Sequence, residues 1–273
     1  MNPAIVYKYL PANRIDALPE IMLRATERNS LNDCFDLYPF VDAIDIHQSN
    51  LLATKNDLVG RFNPNGNSRI TETEAANAIE PMLRDKDQMQ IAADRIKSIV
   101  DKAIATFGVI SMSVSNDVPL MWAHYADAHR GFVLGIDVRA FRPFAVDREQ
   151  PVHTVEYSRD RMKLNSDLIT AGDVSGVYFH KSEDWSYEKE VRVLIPLNHD
   201  LLRCKSGGGA MRLLPIPKQF VRSVIIGARM SGSDEKSLRS SLCPANGYEP
   251  VEFYRAVPSP SRFELDIVKI GVP

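Results

Sequence analysis

The sequence predicts an α+β fold built on a mainly antiparallel sheet. Helical periodicity is concentrated in the first 106 residues, short β-prone runs crowd the remainder, and turn residues separate those runs at irregular intervals with no repeat period. At 273 residues the chain has ample length to bury a core, and it reads as a single α+β domain over 1–273 with a polar loop near 59–73 and a helical segment over 74–106.

Val6 to Leu10 reads as a strand, which Pro11-Ala12-Asn13 ends before Ile15, Leu18, Ile21 and Met22 recur at helical spacing. The chain therefore opens as strand, turn, helix. Leu23 to Thr26 fits a second short strand, and Asn29 to Asp33 is turn chemistry. Gly60, Asn63, Pro64, Asn65, Gly66 and Asn67 mark the polar loop. Beyond it Met89, Ala92, Ala93, Ile96, Ile99, Val100, Ala103 and Ile104 keep three-and-four spacing, which predicts a long amphipathic helix with an interruption near Pro81. The β-prone runs that follow are Gly108–Ser113, Phe132–Asp137, Val152–Tyr157, Val191–Pro196, Val221–Gly227, Pro250–Tyr254 and Phe263–Ile270. Gly207 to Gly209 falls between strands, outside any strand–GxGxxG–helix context, and reads as a flexible loop rather than a phosphate cradle.

Composition narrows the function classes. A 44% hydrophobic fraction with 25% charged residues is ordinary for a soluble protein. With 33 basic against 35 acidic residues the net charge is −2, so no global field draws the chain to nucleic acid or membrane, although a local basic groove stays open. Cys34, Cys204 and Cys243 are far apart and odd in number, which argues against a disulfide framework and a zinc site and suits a reducing cytoplasm. No signal architecture opens the chain and no run approaches the roughly 18 apolar residues that cross a bilayer. The expected location is the cytoplasm.

Four segments carry candidate chemistry. In Trp185 to Pro196, a strand turns Val191, Val193 and Ile195 to the core and Glu188, Glu190 and Arg192 to the other face, with the two carboxylates about 7 Å apart. Beside Trp185 and Tyr187 such a pair serves as acid/base and anchor for a cationic or hydroxylated substrate. The plainer alternative is an exposed strand face with cross-strand charge pairs. In Leu120 to Gly131, helical turns closed by Gly131 put Trp122, Tyr125 and His129 on one face, with His124 about 140° from His129 and so badly placed to share a metal. Here the alternative is a half-buried aromatic pair and a capped helix end. Val109 to Ser113 places Ser111 and Ser113 opposite Ile110 and Met112, without the Gly-x-Ser-x-Gly elbow of a hydrolase. Tyr7 and Tyr9 share one strand face and Lys8 the other, where its ammonium would contact a phosphate or snorkel to solvent.

Taken together, VYKYLP, LNDCFD, MWAHYADAHRGFVLGID and WSYEKEVRV resemble a bacterial family known as domain of unknown function 2971. A more distant likeness lies in the order of an aromatic-plus-basic strand, a Ser-x-Ser strand and a Glu-x-Glu strand running into Val-Leu-Ile-Pro, which resembles the ADP-ribosyltransferase fold with its split sheet. While the spacing of the histidines and cysteines argues against a metal, that resemblance implies NAD as substrate. It implies Tyr7, Lys8 and Tyr9 at the first-strand position, Ser111 and Ser113 at the second, Glu190 as catalytic carboxylate and Glu188 as the residue that orients the acceptor. The first strand lacks the Arg or His of that superfamily, and Met112 replaces the middle hydroxyl residue.

The expected function is an NAD-using transferase or NAD glycohydrolase, acting on a small-molecule dinucleotide or an unknown macromolecular acceptor, with nucleic acid a further candidate partner and no membrane, in the manner of a bacterial toxin or phage-defence effector. Its catalytic candidates are Glu190, Glu188 and His124; its binding candidates are Tyr7, Lys8, Tyr9, Ser111, Ser113, Trp122, Tyr125, His129 and Trp185. The alternative is a metal-independent RNA-processing or nucleic-acid-binding protein using Lys8, His124, His129, Arg130, Lys181 and Arg192 around a cleft. A non-catalytic sensor module is the third.

Overall fold

The computed structural model describes residues 4–42, 85–205 and 211–271, with short stretches at 48–49, 51–53, 73–74, 77 and 80–81. The predicted loop near 59–73 falls almost wholly outside the described residues, as do Gly207–Gly209 and the residues just beyond Pro81. The fold is mixed, with mainly antiparallel sheets. Its described residues gather into two compact units, one of 1–36, 106–159 and 178–273, the other of 37–105 and 160–177.

The first unit holds an eight-stranded sheet. Its strands are β1 (Ile5–Leu10), β4 (Phe107–Ser113), β5 (Phe132–Asp137), β6 (His153–Thr154), β10 (Glu190–Pro196), β13 (Val221–Ile226), β14 (Glu252–Pro258) and β15 (Leu265–Ile270). They lie in the order β15-β14-β13-β5-β1-β4-β10-β6, and all neighbours run antiparallel except β13 and β14. A smaller sheet joins β2 (Met22–Ala25), β12 (Met211–Pro215) and β11 (Arg203–Lys205), the last two of which sequence patterning did not mark. The run Val152–Tyr157 is split: β7 (Glu156–Ser158) leaves the main sheet and pairs in parallel with β9 (His180–Ser182).

Strand alternation sorts the main sheet into two faces. On one, Val6, Ile110, Leu134, Ile136, Val191, Val193 and Ile195 join a large core with Ile15, Leu18 and Leu238. On the other, Tyr9, Val133 and Ile225 pack with Met121 and Trp122, which belong to the short helix α2 (Pro119–Tyr125). Ile15 and Leu18 come from a 3-10 helix over Ala12–Glu20 instead of the α-helix their spacing suggests, because Pro19 lies inside it. Met22 is already strand.

The end of α2 also departs from expectation. The helix stops at Tyr125, and Asp127, Ala128 and His129 all take positive φ (49°, 49° and 69°), so His129 lies off the helix. Gly131 does not cap the helix; a Cβ there would sit 2.1 Å from the Leu10 carbonyl oxygen, and one at Gly227 would sit 2.2 Å from that of His129. The two glycines let backbone segments touch where Gly227 N–H donates to Gly131.

In the second unit the predicted amphipathic helix forms as α1 (Lys86–Ile104), capped by the Asp85 carboxylate on the Asp87 and Gln88 amides. Met89, Ala93, Val100 and Ile104 are its buried stripe, narrower than the sequence pattern, since Ile99 is exposed. This unit also contains the parallel pair β3 (Phe40–Val41) and β8 (Lys163–Leu164), and the short helix α3 (Ser166–Thr170) capped by Asn165.

Candidate active site

The register of three strands builds the site. Tyr7 pairs with Ser113, and Ser113 with Glu190, while Arg192 pairs with Ser111. Tyr7, Tyr9, Ser111, Ser113, Glu190 and Arg192 therefore share one face of the sheet. At Glu190 and Arg192 that face is covered by Lys181, Asp36 and Tyr178 rather than water, so the alternative of an exposed charged strand is overturned: Glu190 is 2% exposed and Arg192 0%. β1 and β4 share a single register pair, whereas β1 pairs with β5 along its whole length. Beside that pair the Lys8 ammonium donates to the Ser111 carbonyl at 2.7 Å. A cavity of about 90 Å³ lies against this parting, lined by Tyr7, Lys8, Tyr9, Ser111, Ser113, Tyr125, Glu188 and Glu190 of the predicted residues, and by Asn32, Asp36 and Lys181.

Glu188 reaches the cavity by a route that alternation does not foresee. It ends a 3-10 helix over Glu183–Glu188, and Lys189 then adopts a left-handed conformation at φ 45° before β10 begins. The Ser113 hydroxyl donates to the Glu188 carbonyl at 2.6 Å and the Val114 amide to that of Lys189 at 3.1 Å, pinning the turn. Glu188 is thus off the strand yet 4% exposed and aimed at the same cavity as Glu190.

Arg192 organises the interior of the site. All five of its N–H donors are used: Nε and Nη2 on Glu190 at 2.7 and 3.0 Å, Nη1 and Nη2 on Asp36 at 2.9 and 2.6 Å, and Nη1 on the Tyr178 carbonyl at 2.8 Å. Lys181 donates to Glu188 at 2.5 Å and Glu190 at 3.1 Å, and stands 3.9 Å from Asp36. Three carboxyl groups thus meet two cations in this network, and the Lys8 ammonium stands as a third cation in the cavity lining.

The two glutamates are treated differently by this network. Burial alone would raise Glu190, but the Arg192 charge and hydrogen bonds, Lys181 and a Ser111 hydrogen bond outweigh it and hold the carboxyl down at about 2. Its native pKa lies below the unfolded one, so its contribution to stability is full above the ordinary glutamate range and is lost as pH falls toward 2. Glu188 is shifted the other way, raised chiefly by burial, with Lys181 and Tyr125 only partly opposing. It accepts from the Tyr125 hydroxyl and from Lys181, both at 2.5 Å. A carboxylate has about four acceptor positions; among the described residues Glu188 leaves two free, whereas Glu190 is filled. Asn32 fixes Tyr125 from behind, its amide donating to the phenol oxygen at 3.0 Å.

Lys8 is the remaining charged group in the cavity. Burial lowers its pKa, and the attraction of Glu190 and Glu188 only partly compensates. Among the described residues it has no ion-pair partner, so its ammonium is available to a ligand anion or carbonyl.

The other predicted residues stand elsewhere. Trp122 is wholly buried beneath the site, its indole N–H donating to the Asn116 carbonyl at 2.9 Å and its edge against Tyr9 with ring centroids 5.5 Å apart. His129 stacks on Trp122 and lines a separate groove with Arg229 and Phe263. His124 is exposed and outside the cavity lining, and Trp185 lies above Lys181, its ring centroid 4.9 Å from Nζ. The basic set of the nucleic-acid alternative is dispersed: Lys181 and Arg192 are spent on internal carboxylates and Arg130 pairs with Asp127. Asp36 and Asn32 escaped sequence reading because their partners lie 156 and 93 residues away. Among the described residues no group of histidine, cysteine, aspartate or glutamate side chains is arranged to hold a metal ion, and no helix is long and apolar enough to cross a membrane.

A family model described as a protein of unknown function, DUF2971, matches residues 121–193. The matched stretch runs from α2 into β10 and contains Tyr125, Lys181, Glu188, Glu190 and Arg192. No curated protein and no solved structure matches the chain.

Proposed function

We propose that the cavity cleaves the bond between the ribose and the pyridinium nitrogen of NAD, passing ADP-ribose to water or to an acceptor hydroxyl. The observation that carries this reading is the unequal pair of buried carboxylates on one cavity wall: Glu190 locked as an anion by Arg192, and Glu188 with acceptor positions to spare. As the carbon–nitrogen bond breaks, its electron pair leaves on nicotinamide and positive charge builds on the ribose. A preorganised Glu188 carboxylate with acceptor positions to spare stabilises that charge where it develops. Glu188 accepts a ribose hydroxyl and takes the proton of the attacking water or acceptor, a task suited to a carboxylate whose pKa burial has raised.

The remaining groups divide the binding. Tyr7, Tyr9 and Tyr125 form aromatic walls for the leaving ring. Lys8 takes a phosphate or the carboxamide oxygen as a point charge; it replaces the fork of an arginine with a single ammonium. At about 90 Å³ the cavity is smaller than the roughly 300–1,000 Å³ that encloses a whole ligand. It admits one ring or sugar, and the rest of the dinucleotide lies outside.

Incubating the protein with NAD and following free nicotinamide by chromatography tests the reading. Release above the buffer control, with ADP-ribose appearing free or on an acceptor, is the expected result. NAD that is neither consumed nor bound would overturn it.

A further inference from the structure

Beside the cavity a chain of rings runs outward from Tyr125, and beyond Tyr125 the proposed cleavage does not use it. His124 contacts Tyr125 and Tyr187 at centroid distances of 6.3 and 6.2 Å, and Tyr187 contacts Trp185 at 6.2 Å. Tyr125 closes the chain at the cavity through its bond to Glu188, and Trp185 ends it, half-buried above the Lys181 ammonium. Lys181 is held by three carboxylates, so the face of Trp185 toward it is supported from within. Neither Trp185 nor Tyr187 lines the cavity itself. An aromatic strip with a charged, rigid underside is a stacking platform, and any purine or pyrimidine presents a π-face to it.

The cavity and the strip fit two different parts of one molecule. The cavity takes a single ring or sugar, so a substrate that ends there satisfies only the walls around Glu188. From this geometry we infer that the Trp185–Tyr187–His124 strip stacks a second base, which makes the preferred substrate a dinucleotide over a mononucleotide. The inference rests on the cleavage reading for the first ring, and its test separates the two. The chain has two tryptophans, Trp122 and Trp185, of which Trp122 is fully buried and shielded from ligand. Trp185 therefore reports stacking directly.

Tryptophan fluorescence of the wild type is titrated with adenosine monophosphate, ADP-ribose and a single-stranded oligonucleotide, and repeated in Trp185→Leu. Quenching by adenosine monophosphate and by ADP-ribose that vanishes in Trp185→Leu is expected. The same variant, with Tyr187→Leu, is expected to raise KM for NAD by roughly 5- to 150-fold, the worth of one stacked base. Turnover at saturation and KM for nicotinamide mononucleotide should hold. Unaltered fluorescence with both adenine compounds, quenching by the oligonucleotide alone, or equal weakening of the mononucleotide and dinucleotide would each overturn the inference. Adenine-dependent quenching without any release of nicotinamide would keep the platform and sink the cleavage reading.

Discussion

Arg192→Leu is expected to cost about 3–5 kcal/mol of stability, the toll of breaking a buried charge network by removing one partner. The guanidinium supplies five hydrogen bonds at a position with 0% exposure, and its loss leaves Asp36 and Glu190 facing each other with only Lys181 between them. Domains are commonly stable by 5–15 kcal/mol, so the variant should be marginal. Urea denaturation at unchanged slope, with a midpoint far below that of the wild type, is the measurement. Arg192→Lys should recover little, because one ammonium cannot reproduce the fork shared by Asp36 and Glu190. Replacing Asp36 by Asn in the Arg192→Leu background should restore part of the loss, since it removes one orphaned carboxylate. If Arg192→Leu unfolds at the wild-type midpoint, the network described here does not hold the site together.

Glu188→Gln is expected to lower the rate of nicotinamide release by about 10²- to 10⁴-fold, the usual contribution of a positioned acid/base group. Glutamine keeps the shape and can accept from Tyr125, but its amide nitrogen then faces the buried Lys181 ammonium, so folding should be retained with a lowered urea midpoint. Glu190→Gln should lose more stability than Glu188→Gln, because Arg192 and Lys181 both lose their shared anion. The pH profile separates them further. Glu188 must be ionised to accept a proton, and its pKa is raised by burial, so activity should fall on acidification at a pH above the ordinary glutamate range. Glu190 stays charged through that window, being held at about 2, and contributes no limb. A Glu188→Gln enzyme with the wild-type rate and profile would remove Glu188 from the chemistry.

Much of this architecture was legible from local pattern. Alternation in Val191-Arg192-Val193-Leu194-Ile195 located β10 and its faces, and Phe132–Asp137 was found to the residue. The strands carrying Tyr7, Ser111, Ser113 and Glu190 each announce themselves locally, but their pairing around one cavity is set by partners far apart in sequence. What stayed hidden depends on partners distant in sequence or on backbone that breaks a period. Pro19 turned a helical spacing into 3-10 structure; three successive positive-φ residues carried His129 off the helix. Lys189 in the left-handed region took Glu188 off the strand while keeping it beside Glu190. Asp36 sits in a stretch that reads only as turn, and nothing local announces that it meets Arg192. The charge signs were visible, but not which carboxylate is saturated, because that requires counting donors in space.

The division of labour between two adjacent carboxyls is best tested by titrating them directly. Carbon-13 NMR of protein labelled at the glutamate side-chain carboxyls, with the two signals assigned through Glu188→Gln and Glu190→Gln, reads each one without any substrate. Glu188 should titrate above the ordinary glutamate range, while Glu190 remains ionised until the pH approaches 2. The reverse order, or two carboxyls titrating together at ordinary values, would rule out that division.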